Sequence, residues 1–225
     1  MTDKVLFITG ASSGIGAATA RAAVQAGWRV ALFARSEDKL KDLADELGRD
    51  RALAVPGDVT DLDALRDAIG KTVQAFGQLD AVFANAGMGL DTPGIDKGDP
   101  DEWRRLVDVN ILGPLLTLKA AYPELNKTKG HLVLTGSVAG RVHIKGSVYG
   151  ASKWFVHGLG GNMSQDMREW GGRCTVIAPG MVDTAFFDEP KPDKLKPEDI
   201  AHAVVYALDQ PQRANVQEVV VMPTG

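Results

Sequence analysis

The sequence contains little cysteine and no long hydrophobic run. Its single cysteine, Cys174, excludes an internal disulfide and a thiolate zinc site. Cys174 lies in an apolar stretch, so we expect a small core residue rather than a nucleophile. No apolar run reaches the ~18 residues that a membrane span requires. Residues 1–4 lead directly into an apolar stretch without the regions of a signal peptide. These absences predict a cytoplasmic protein that has no membrane partner and no metal.

Positive charge is also scarce. The chain has 25 lysines and arginines against 29 aspartates and glutamates, which gives a net charge of −4. A protein that neutralises a phosphate backbone needs a basic face, so nucleic acid is not an expected partner. The 225 residues, with 44% hydrophobic and 24% charged, are typical of one globular α/β domain. We predict a single domain over residues 1–225, with an integral loop at 181–197.

Short apolar runs alternate with helical patterns along the chain. This rhythm predicts βαβ units and a parallel sheet, which right-handed crossovers turn into a doubly wound fold. The fold class expected is therefore α/β, a Rossmann-type sandwich of about seven parallel strands with helices on both faces. The predicted strands are 5–9, 29–33, 51–57, 79–84, 131–135, 173–178 and 216–222. The predicted helices are 17–26, 36–47 (capped by Ser36), a helix capped by Thr60 or Asp61 that ends at 76, 101–125, 149–170 and 197–209.

A glycine turn follows the first strand at Gly10-Ala11-Ser12-Ser13-Gly14-Ile15-Gly16. Glycine lets the backbone approach a pyrophosphate, and the N-terminus of the next helix offers N–H groups and a favourable dipole. A plain tight turn in a β–α unit is the alternative interpretation. The position directly after the first strand favours a phosphate-binding loop.

The second strand ends in Ala34-Arg35-Ser36, where folds that bind NAD usually carry an acidic residue. An acid would repel a 2′-phosphate, whereas a guanidinium can bind one through two hydrogen bonds. Arg35 therefore favours NADP(H), and NAD(H) remains possible. The alternative is a solvated arginine.

The predicted helix 101–125 contains Pro114, four residues after Asn110. Proline has no N–H to offer the Asn110 carbonyl, so the helix should bend there. Either the kink is merely tolerated, or the free carbonyl and the asparagine side chain hold a water near a reacting centre. The residues themselves leave both open.

Residues 137–153 run from the end of a predicted buried strand into a long helix, so Ser137 is expected at the ligand-binding edge of the sheet. Tyr149 and Lys153 are four apart and share one helix face. An adjacent ammonium favours the phenolate and is expected to lower the Tyr149 pKa towards the range useful for acid–base work. Taken alone, the pair is a weak signal and favours the alternative, an amphipathic helix with a surface lysine and a half-buried tyrosine.

Several short motifs together resemble the short-chain dehydrogenase/reductase family, in its single-domain form, from Lys4 to the end of the chain. The motifs are Thr9-Gly10-x-x-x-Gly14-Ile15-Gly16, Asn85-Ala86-Gly87, Asn110, Ser137, Tyr149-x-x-x-Lys153 and Pro179-Gly180. They occur in the order and at the spacing of that family. Each motif is weak alone, and their combination is specific.

The resemblance implies four catalytic residues. Tyr149 would be the general acid in carbonyl reduction and the base in alcohol oxidation, and Ser137 would hydrogen-bond the substrate oxygen. Lys153 would bind the nicotinamide ribose and lower the Tyr149 pKa. Asn110 would anchor a water in the proton relay, which favours the functional explanation of Pro114.

The resemblance also implies contacts with the cofactor. Asp58 would meet the adenine ring and Val59 the same pocket, 85–87 would line the adenosine ribose, and Thr184 would approach the carboxamide. The predicted cofactor-binding set is Gly10, Ser12, Ser13, Gly14, Ile15, Gly16, Arg35, Asp58, Val59, Asn85, Ala86, Gly87, Tyr149, Lys153, Pro179, Gly180, Val182 and Thr184. One departure concerns Ser13, where members that use NADP often carry a basic residue. Arg35 must then supply the charge, with help from the Ser12 hydroxyl.

The substrate pocket is predicted by position only. Its candidates are Val138, His143, Ser147, Met181, Phe186 and Phe187. The other histidines, His131, His157 and His202, have no metal-ligand spacing and no partner in the sequence, so we expect structural or surface roles.

The predicted function is hydride transfer between NADP(H) and a small carbonyl or alcohol substrate. A non-catalytic NADP-binding regulatory or scaffold protein on the same fold is the first alternative, and a lyase or epimerase that uses the same tyrosine is the second. By resemblance, the protein is expected to be a homodimer or homotetramer.

Overall fold

The structure, a computed structural model, describes residues 3–92, 94–184, 186 and 191–224. These residues form seven strands and seven α-helices that alternate along the chain, except that two helices lie between the fourth and fifth strands. The strands are β1 Val5–Thr9, β2 Arg29–Ala34, β3 Ala52–Pro56, β4 Ala81–Ala84, β5 His131–Thr135, β6 Arg173–Pro179 and β7 Glu218–Val221. The helices are α1 Gly14–Gln25, α2 Glu37–Leu47, α3 Leu62–Phe76, α4 Pro100–Val107, α5 Gly113–Thr128, α6 Val148–Arg168 and α7 Pro197–Leu208. A π-helical segment, Asp108–Leu112, joins α4 to α5, and a 3₁₀ turn, Val138–Gly140, precedes α6.

The strands form one parallel sheet in the order β3-β2-β1-β4-β5-β6-β7. The chain moves outward from β1 in one direction through β3, and then returns to start the other half at β4. The connections that build the two halves of the sheet therefore run in opposite directions from the boundary between β1 and β4. Ligands of open parallel sheets bind at such a switch point, outside the carboxyl ends of the strands. The predicted doubly wound, seven-stranded fold is confirmed.

Two apolar layers hold the sheet between its helices. Every residue of β1 is buried, as expected for a central parallel strand covered on both faces. Leu6 and Ile8 belong to the layer that α1, α2 and α7 cover. Val5 and Phe7 belong to the layer beneath α3, α5 and α6. The alternation of side chains along one strand thus anchors both halves of the sandwich.

Helix starts follow local capping chemistry only in part. Asp61 caps α3, because its carboxylate accepts hydrogen bonds from the N–H groups of Asp63 and Ala64. Ser36 occupies the N-cap position of α2 as predicted, yet its side chain makes no capping bond to the described residues. The prediction that Ser36 caps this helix chemically is therefore wrong. Glu37 and Asp38 in the first turn instead favour this end through the helix dipole.

The predicted continuous helix 101–125 is divided into three parts. Over 108–112 the backbone hydrogen bonds change from the α-helical i to i+4 spacing to an i to i+5 spacing. The Gly113 N–H, for example, donates to the Asp108 carbonyl. Pro114 then falls in the first turn of α5, where a missing N–H leaves no helical bond unmade. The expected irregularity is present as a π-helical bulge, which is a known way to accommodate a kink.

None of the helices in the described ranges is both long and apolar enough to cross a membrane.

Candidate active site

A cavity of about 940 Å³ opens at the carboxyl ends of the strands, along the switch point between β1 and β4. Its walls come from the loops after β1, β2, β3, β4, β5 and β6. A volume of this size is at the upper end of the range for ligand pockets. Every predicted cofactor-binding residue except Gly16 lines it. Arg35 and Tyr149 thus line the same cavity.

The glycine turn forms the floor of the cavity. Gly14 has φ +50°, a left-handed conformation that side chains other than glycine rarely adopt. Gly16 does not line the cavity, which corrects its predicted contact with the cofactor. A Cβ on Gly16 would lie 2.2 Å from the Gly10 carbonyl oxygen, so this glycine lets α1 pack directly behind the turn.

The N-terminus of α1 suits an anion. Ser13 stands at the N-cap position but makes no side-chain capping bond within the described chain, and the first turn contains no acidic residue. The N–H groups of this turn are consequently free of side-chain competitors, and Ser13, Gly14 and Ile15 face the cavity. A phosphate placed there would meet both the N–H groups and the positive end of the helix dipole.

The far end of the cavity carries one positive and one negative side chain. Arg35 is exposed at the end of β2 and lines the wall. Asp58 follows β3, and its Oδ1 accepts hydrogen bonds from the N–H (3.0 Å) and hydroxyl (2.9 Å) of Thr60. This bonding orients the carboxylate and leaves Oδ2 available to a ligand. Val59, beside Asp58, also lines this end.

Asn85 ties three strand ends together beneath the cavity. Its amide Nδ2 donates to the Thr9 carbonyl at 3.1 Å, and its Oδ1 accepts from the Thr135 hydroxyl at 3.1 Å. The Thr9 hydroxyl in turn accepts from the N–H groups of Asn85 and Ala86, each at 3.0 Å. The side chain therefore fixes the ends of β1, β4 and β5, and 85–87 present their backbone to the cavity.

Ser137 lines the cleft shortly after the end of β5. Its Oγ accepts a hydrogen bond from the Ala139 N–H at 3.1 Å, which caps the 3₁₀ turn. An oxygen that already accepts from the backbone keeps its own proton to donate. The serine is thus prepared to donate a hydrogen bond into the cavity.

Tyr149 is partly buried in the first turn of α6, where Ser147 caps the helix by accepting from the Gly150 N–H at 2.9 Å. Burial raises the pKa of Tyr149 above its ordinary value, and a hydrogen-bonding interaction with the Ser137 side chain acts in the opposite direction. The expectation that the pKa of Tyr149 is lowered is therefore wrong for this structure. The protonated phenol is the stable form at neutral pH.

Lys153 lies next to Tyr149 and is buried with it. Its Nζ lies over the Tyr149 ring, 5.7 Å from the centroid, and donates to the Thr135 carbonyl at 2.9 Å. The residue is only 6% exposed, and burial lowers the pKa of Lys153 to about 8. Loss of hydration disfavours both charged forms, the Lys153 ammonium and the Tyr149 phenolate, and it is the largest cause of the raised pKa of Tyr149.

Asn110 lies in the π-helical segment and is 2% exposed. Its Oδ1 accepts from the Met88 N–H at 2.9 Å, and its Nδ2 donates to the Met88 carbonyl at 2.9 Å. Nδ2 also lies 3.3 Å from the Ser152 hydroxyl. The side chain does not line the cavity, because these bonds hold it behind the loop that follows β4. Its place in a proton relay stays a prediction.

The wall next to Tyr149 is apolar. The Phe186 ring lies 5.5 Å from the Tyr149 ring, and a Cβ on Gly89 would meet it at 3.0 Å. Three of the predicted substrate residues, Val138, Met181 and Phe186, line the cavity. Phe187 lies outside the described residues.

Two predicted substrate residues do not line the cavity. His143 stacks on Trp154, with ring centroids 5.3 Å apart and an interplanar angle of 13°. Its contact with an aromatic ring on the outer side of α6 takes it away from the cleft. Ser147 is occupied as the N-cap of that helix. Both predictions rested on chain position between Ser137 and Tyr149, which does not fix the direction of a side chain.

Other residues line the cleft that the sequence analysis did not single out. They are Ala34, Ser36, Gly57, Thr60, Met88, Arg105, Asp108, Val109, Thr135, Gly136, Ala139 and Ile144. Most of them adjoin predicted residues at strand ends, so the rule for carboxyl edges could have found them. Arg105 and Asp108 had no such signal, because they reach the cleft only through the packing of α4 and the π-helical segment.

His131 and Cys174 lie in the core, where burial shifts the pKa of each side chain. His131 is buried, its Nε2 lies 2.7 Å from the Thr175 hydroxyl, and burial holds its pKa well below the ordinary value. Burial raises the pKa of the Cys174 thiol to about 12, which makes it unreactive. Within the described ranges, no group of three or more metal-ligating side chains is found.

His157 is not the isolated residue that the sequence predicted. Its Nε2 lies 3.0 Å from the Ser137 carbonyl oxygen, and its Nδ1 lies 3.1 Å from Glu218 Oε1. The prediction that it has no partner is wrong, since both partners are remote in sequence and only the fold brings them together.

The chain is similar to known proteins over nearly its whole length. The sequence pattern of the family described as short chain dehydrogenase matches residues 4–195. An uncharacterized oxidoreductase of Staphylococcus aureus is 41% identical over 228 residues, which cover 99% of this chain and 98% of that protein.

Solved structures share the whole fold. An alcohol dehydrogenase from the archaeon Thermococcus sibiricus, complexed with 5-hydroxy-NADP, has a TM-score of 0.90 at 33% identity, covering 98% of this chain and 97% of that one. A 3-ketoacyl-(acyl-carrier-protein) reductase from Brucella melitensis, complexed with NADH, has a TM-score of 0.90 at 24% identity and 98% coverage of each chain. The second likeness concerns the fold alone.

Proposed function

Since the chain belongs to the short chain dehydrogenase family, we propose that it transfers a hydride between NADP(H) and a small carbonyl or alcohol substrate, with Tyr149 as the general acid and base. The observation that carries the proposal is the convergence of Tyr149, Ser137 and Lys153 at one end of a cleft whose floor is a helix N-terminus. A carbonyl group bound at this end of the cleft could receive a hydride from the cofactor and a proton from Tyr149.

Two side chains handle the charge on the substrate oxygen. Ser137 donates its hydroxyl proton as a hydrogen bond, because its oxygen already accepts from Ala139. Tyr149 gives up its phenolic proton as the oxygen gains negative charge. The raised pKa of Tyr149 keeps that proton in place at neutral pH, which suits reduction. Oxidation of an alcohol needs the phenolate and should therefore be faster at alkaline pH.

The cleft fits a nicotinamide dinucleotide, which supplies or accepts the hydride when bound. The N–H groups at the start of α1 would hold its pyrophosphate. Lys153 uses one of its three N–H donors on Thr135, so two remain for ribose hydroxyls. Asp58 Oδ2 would accept from the amino group of the adenine.

The preference for NADP(H) rests on Arg35. The wall at the end of β2 is made by 34–36 and contains no carboxylate. A guanidinium there can form two charge-assisted hydrogen bonds with a 2′-phosphate. The alcohol dehydrogenase that shares 33% identity was solved with a derivative of NADP, which supports the same choice.

The substrate class follows from the apolar wall. The apolar side chains that line the cleft include Met88, Val138, Ile144, Met181 and Phe186, and the Phe186 ring lies beside that of Tyr149. A charged carbonyl compound would lose hydration there without a partner. We therefore propose an apolar aliphatic or aromatic aldehyde or ketone as the substrate.

The change Tyr149→Phe tests the catalytic role. It removes the phenolic proton that we assign to transfer onto the substrate oxygen, and we expect kcat for carbonyl reduction to fall about 10³-fold. Thermal unfolding and the Kd for NADPH should stay close to those of the wild type. Tyr206→Phe, at an exposed tyrosine on α7, is the matched control and should retain full turnover. Undiminished activity in Tyr149→Phe would refute the role given to this residue. A wild type that binds NADPH but oxidises it with no aldehyde or ketone would support the non-catalytic alternative.

The change Arg35→Asp tests the cofactor choice. It replaces two charge-assisted hydrogen bonds with a repulsive charge, so the ratio of kcat/KM for NADPH over NADH should fall about 10- to 100-fold. Arg213→Asp, at an exposed arginine outside the cavity, should leave the ratio unchanged. The Arg35 argument is wrong if the wild type already prefers NADH.

A further inference from the structure

His157 lies one helical turn after Lys153 on α6, so Tyr149, Lys153 and His157 follow one another at intervals of four. It does not line the cavity, and its side chain is 16% exposed. Its Nε2 is 3.0 Å from the carbonyl oxygen of Ser137, whose hydroxyl faces the cavity. The His157 ring thus contacts the backbone of Ser137 and lies outside the cavity that Ser137 lines.

The ring fills a space that two glycines leave open on either side of Ser137. A Cβ on Gly136 would lie 2.8 Å from the His157 Nε2, and a Cβ on Gly140 would lie 2.7 Å from its Cδ2. Both distances are shorter than real Cβ contacts allow. The imidazole is therefore packed against the whole segment 136–140 and does not only touch one atom of it.

The proton on Nε2 is fixed by its partner. A carbonyl oxygen can only accept, so the 3.0 Å contact requires an N–H on Nε2. That N–H exists in the imidazolium and also in one neutral tautomer. The same carbonyl accepts from the Gly140 N–H at 3.0 Å, so the two donors together hold the peptide plane of Ser137.

Glu218 orients the ring from the other side. Its Oε1 lies 3.1 Å from His157 Nδ1 and its Oε2 lies 3.4 Å from Arg141. Oε1 makes no regular hydrogen bond with any described residue, and its contact with the ring is attractive only when Nδ1 carries a proton. In that state the carboxylate draws Nδ1 towards β7 and leaves the Nε2 N–H directed at the Ser137 carbonyl.

We propose that His157 is a positioning residue for Ser137: braced by Glu218 on β7, it holds the peptide of the serine and so fixes the direction in which the hydroxyl donates. The expected effect of His157 on turnover rests on the proposed function. The expected effect of His157 on the position of Ser137 does not. A donor held out of line by about 1 Å can cost on the order of 100-fold in rate, so positioning matters even without contact with substrate.

The kinetic test compares two variants of His157 against a panel of apolar aldehydes and ketones with NADPH. His157→Gln places an amide N–H near the position of Nε2 and should retain kcat within about threefold. His157→Leu removes the donor and should lower kcat about 10- to 100-fold, with the Kd for NADPH unchanged. His202→Leu, at an exposed histidine on α7, is the matched control. Equal losses in the Gln and Leu variants, or a wild-type kcat in the Leu variant, would overturn the proposal.

A second measurement separates this proposal from the proposed function. The chain has four histidines, so ¹⁵N spectra of the side chains can be assigned by single substitutions. We expect a protonated Nε2 on His157, and a Ser137 ¹³Cβ signal that shifts in His157→Leu but not in His157→Gln. These signals need no turnover. A protein that reduces no carbonyl yet shows them would refute the proposed function and keep the positioning role. An unprotonated Nε2, or a Ser137 signal that is the same in all three proteins, would refute the positioning role itself.

Discussion

The side chain of Lys153 is where burial and charge compete most directly. One N–H bonds to the Thr135 carbonyl, and the rest of the group lies over the Tyr149 ring. Because burial lowers the pKa of Lys153 to about 8, this group changes charge close to physiological pH. It is an ammonium below pH 8 and a neutral amine above.

The affinity for NADPH should therefore fall as pH rises through about 8. Hydrogen bonds from an ammonium to ribose hydroxyls are charge-assisted and stronger than those from an amine, so Kd should increase about tenfold between pH 7 and 9.5. The cofactor phosphates do not titrate in this range, since their last pKa is about 6. Quenching of protein fluorescence by NADPH, measured across this range, gives the profile.

Lys153→Met supplies the control for this profile. We expect weaker binding with no step near pH 8, because no titratable group remains at the position. A wild-type Kd that is constant from pH 7 to 9.5 would contradict the role of the ammonium in holding the cofactor.

For single residues, the sequence predicts which side chains lie close together but not whether each of them is protonated. Tyr149 and Lys153 are brought together by helix geometry alone, so their spacing was sufficient. The direction of the Tyr149 pKa depends on how much of the phenol the fold buries, which no local pattern records. The same is true of His157, whose partners Ser137 and Glu218 lie 20 and 61 residues away.

Among the elements, the π-helical segment 108–112 places Asn110 against the loop that follows β4. Its extra residue in the turn directs Asn110 away from solvent and onto the backbone of Met88, in the loop after β4. The side chain acts as a two-point staple, since it accepts from the N–H and donates to the carbonyl of the same residue. The wall of the cleft beside 85–88 is held by this staple.

Asn110→Ala should lower the free energy of unfolding by about 2–4 kcal/mol. The change leaves the part-buried N–H and carbonyl of Met88 without their partner, each costing roughly 1–3 kcal/mol. Urea denaturation followed by circular dichroism measures the difference. Asn126→Ala, at an exposed asparagine of α5, is the matched control and should change stability by less than about 0.5 kcal/mol. Similar stabilities for the two variants would show that the staple contributes little.

Elements differ in how far their sequences specify them. Strand β1 was predicted residue for residue at 5–9, because it is a continuous apolar run that ends at a glycine turn. Strand β7 was predicted at 216–222 and spans Glu218–Val221, since only its contact with β6 decides where pairing starts. The kink at Pro114 could be foreseen, whereas its form as a π-helical segment depends on the packing of Asn110.

At the scale of the whole molecule, one face of α6 is left uncovered by the residues that the structure describes. Trp154 is 44% exposed, and Gly158 and Gly161 continue the same face at intervals of four and three. A Cβ added to either glycine meets nothing within 4 Å. An exposed tryptophan followed by small residues lets a second helix approach closely, so we propose that two copies of the chain pack here, in a homodimer or a homotetramer.

Light scattering coupled to size-exclusion chromatography should then give two or four times the chain mass of 23.9 kDa. Gly161→Glu should shift this mass towards the monomer, because the new carboxylate would be buried in the contact without a partner. The substitution causes no clash within one chain, so the fold itself should survive. Gly70→Glu, at an equally open glycine on the exposed face of α3, carries the same charge and the same change in helix propensity and should leave the mass unaltered. A monomeric wild type would refute the assembly. Equal dissociation in the two variants would mean that added charge in general, and not contact at α6, weakens the association.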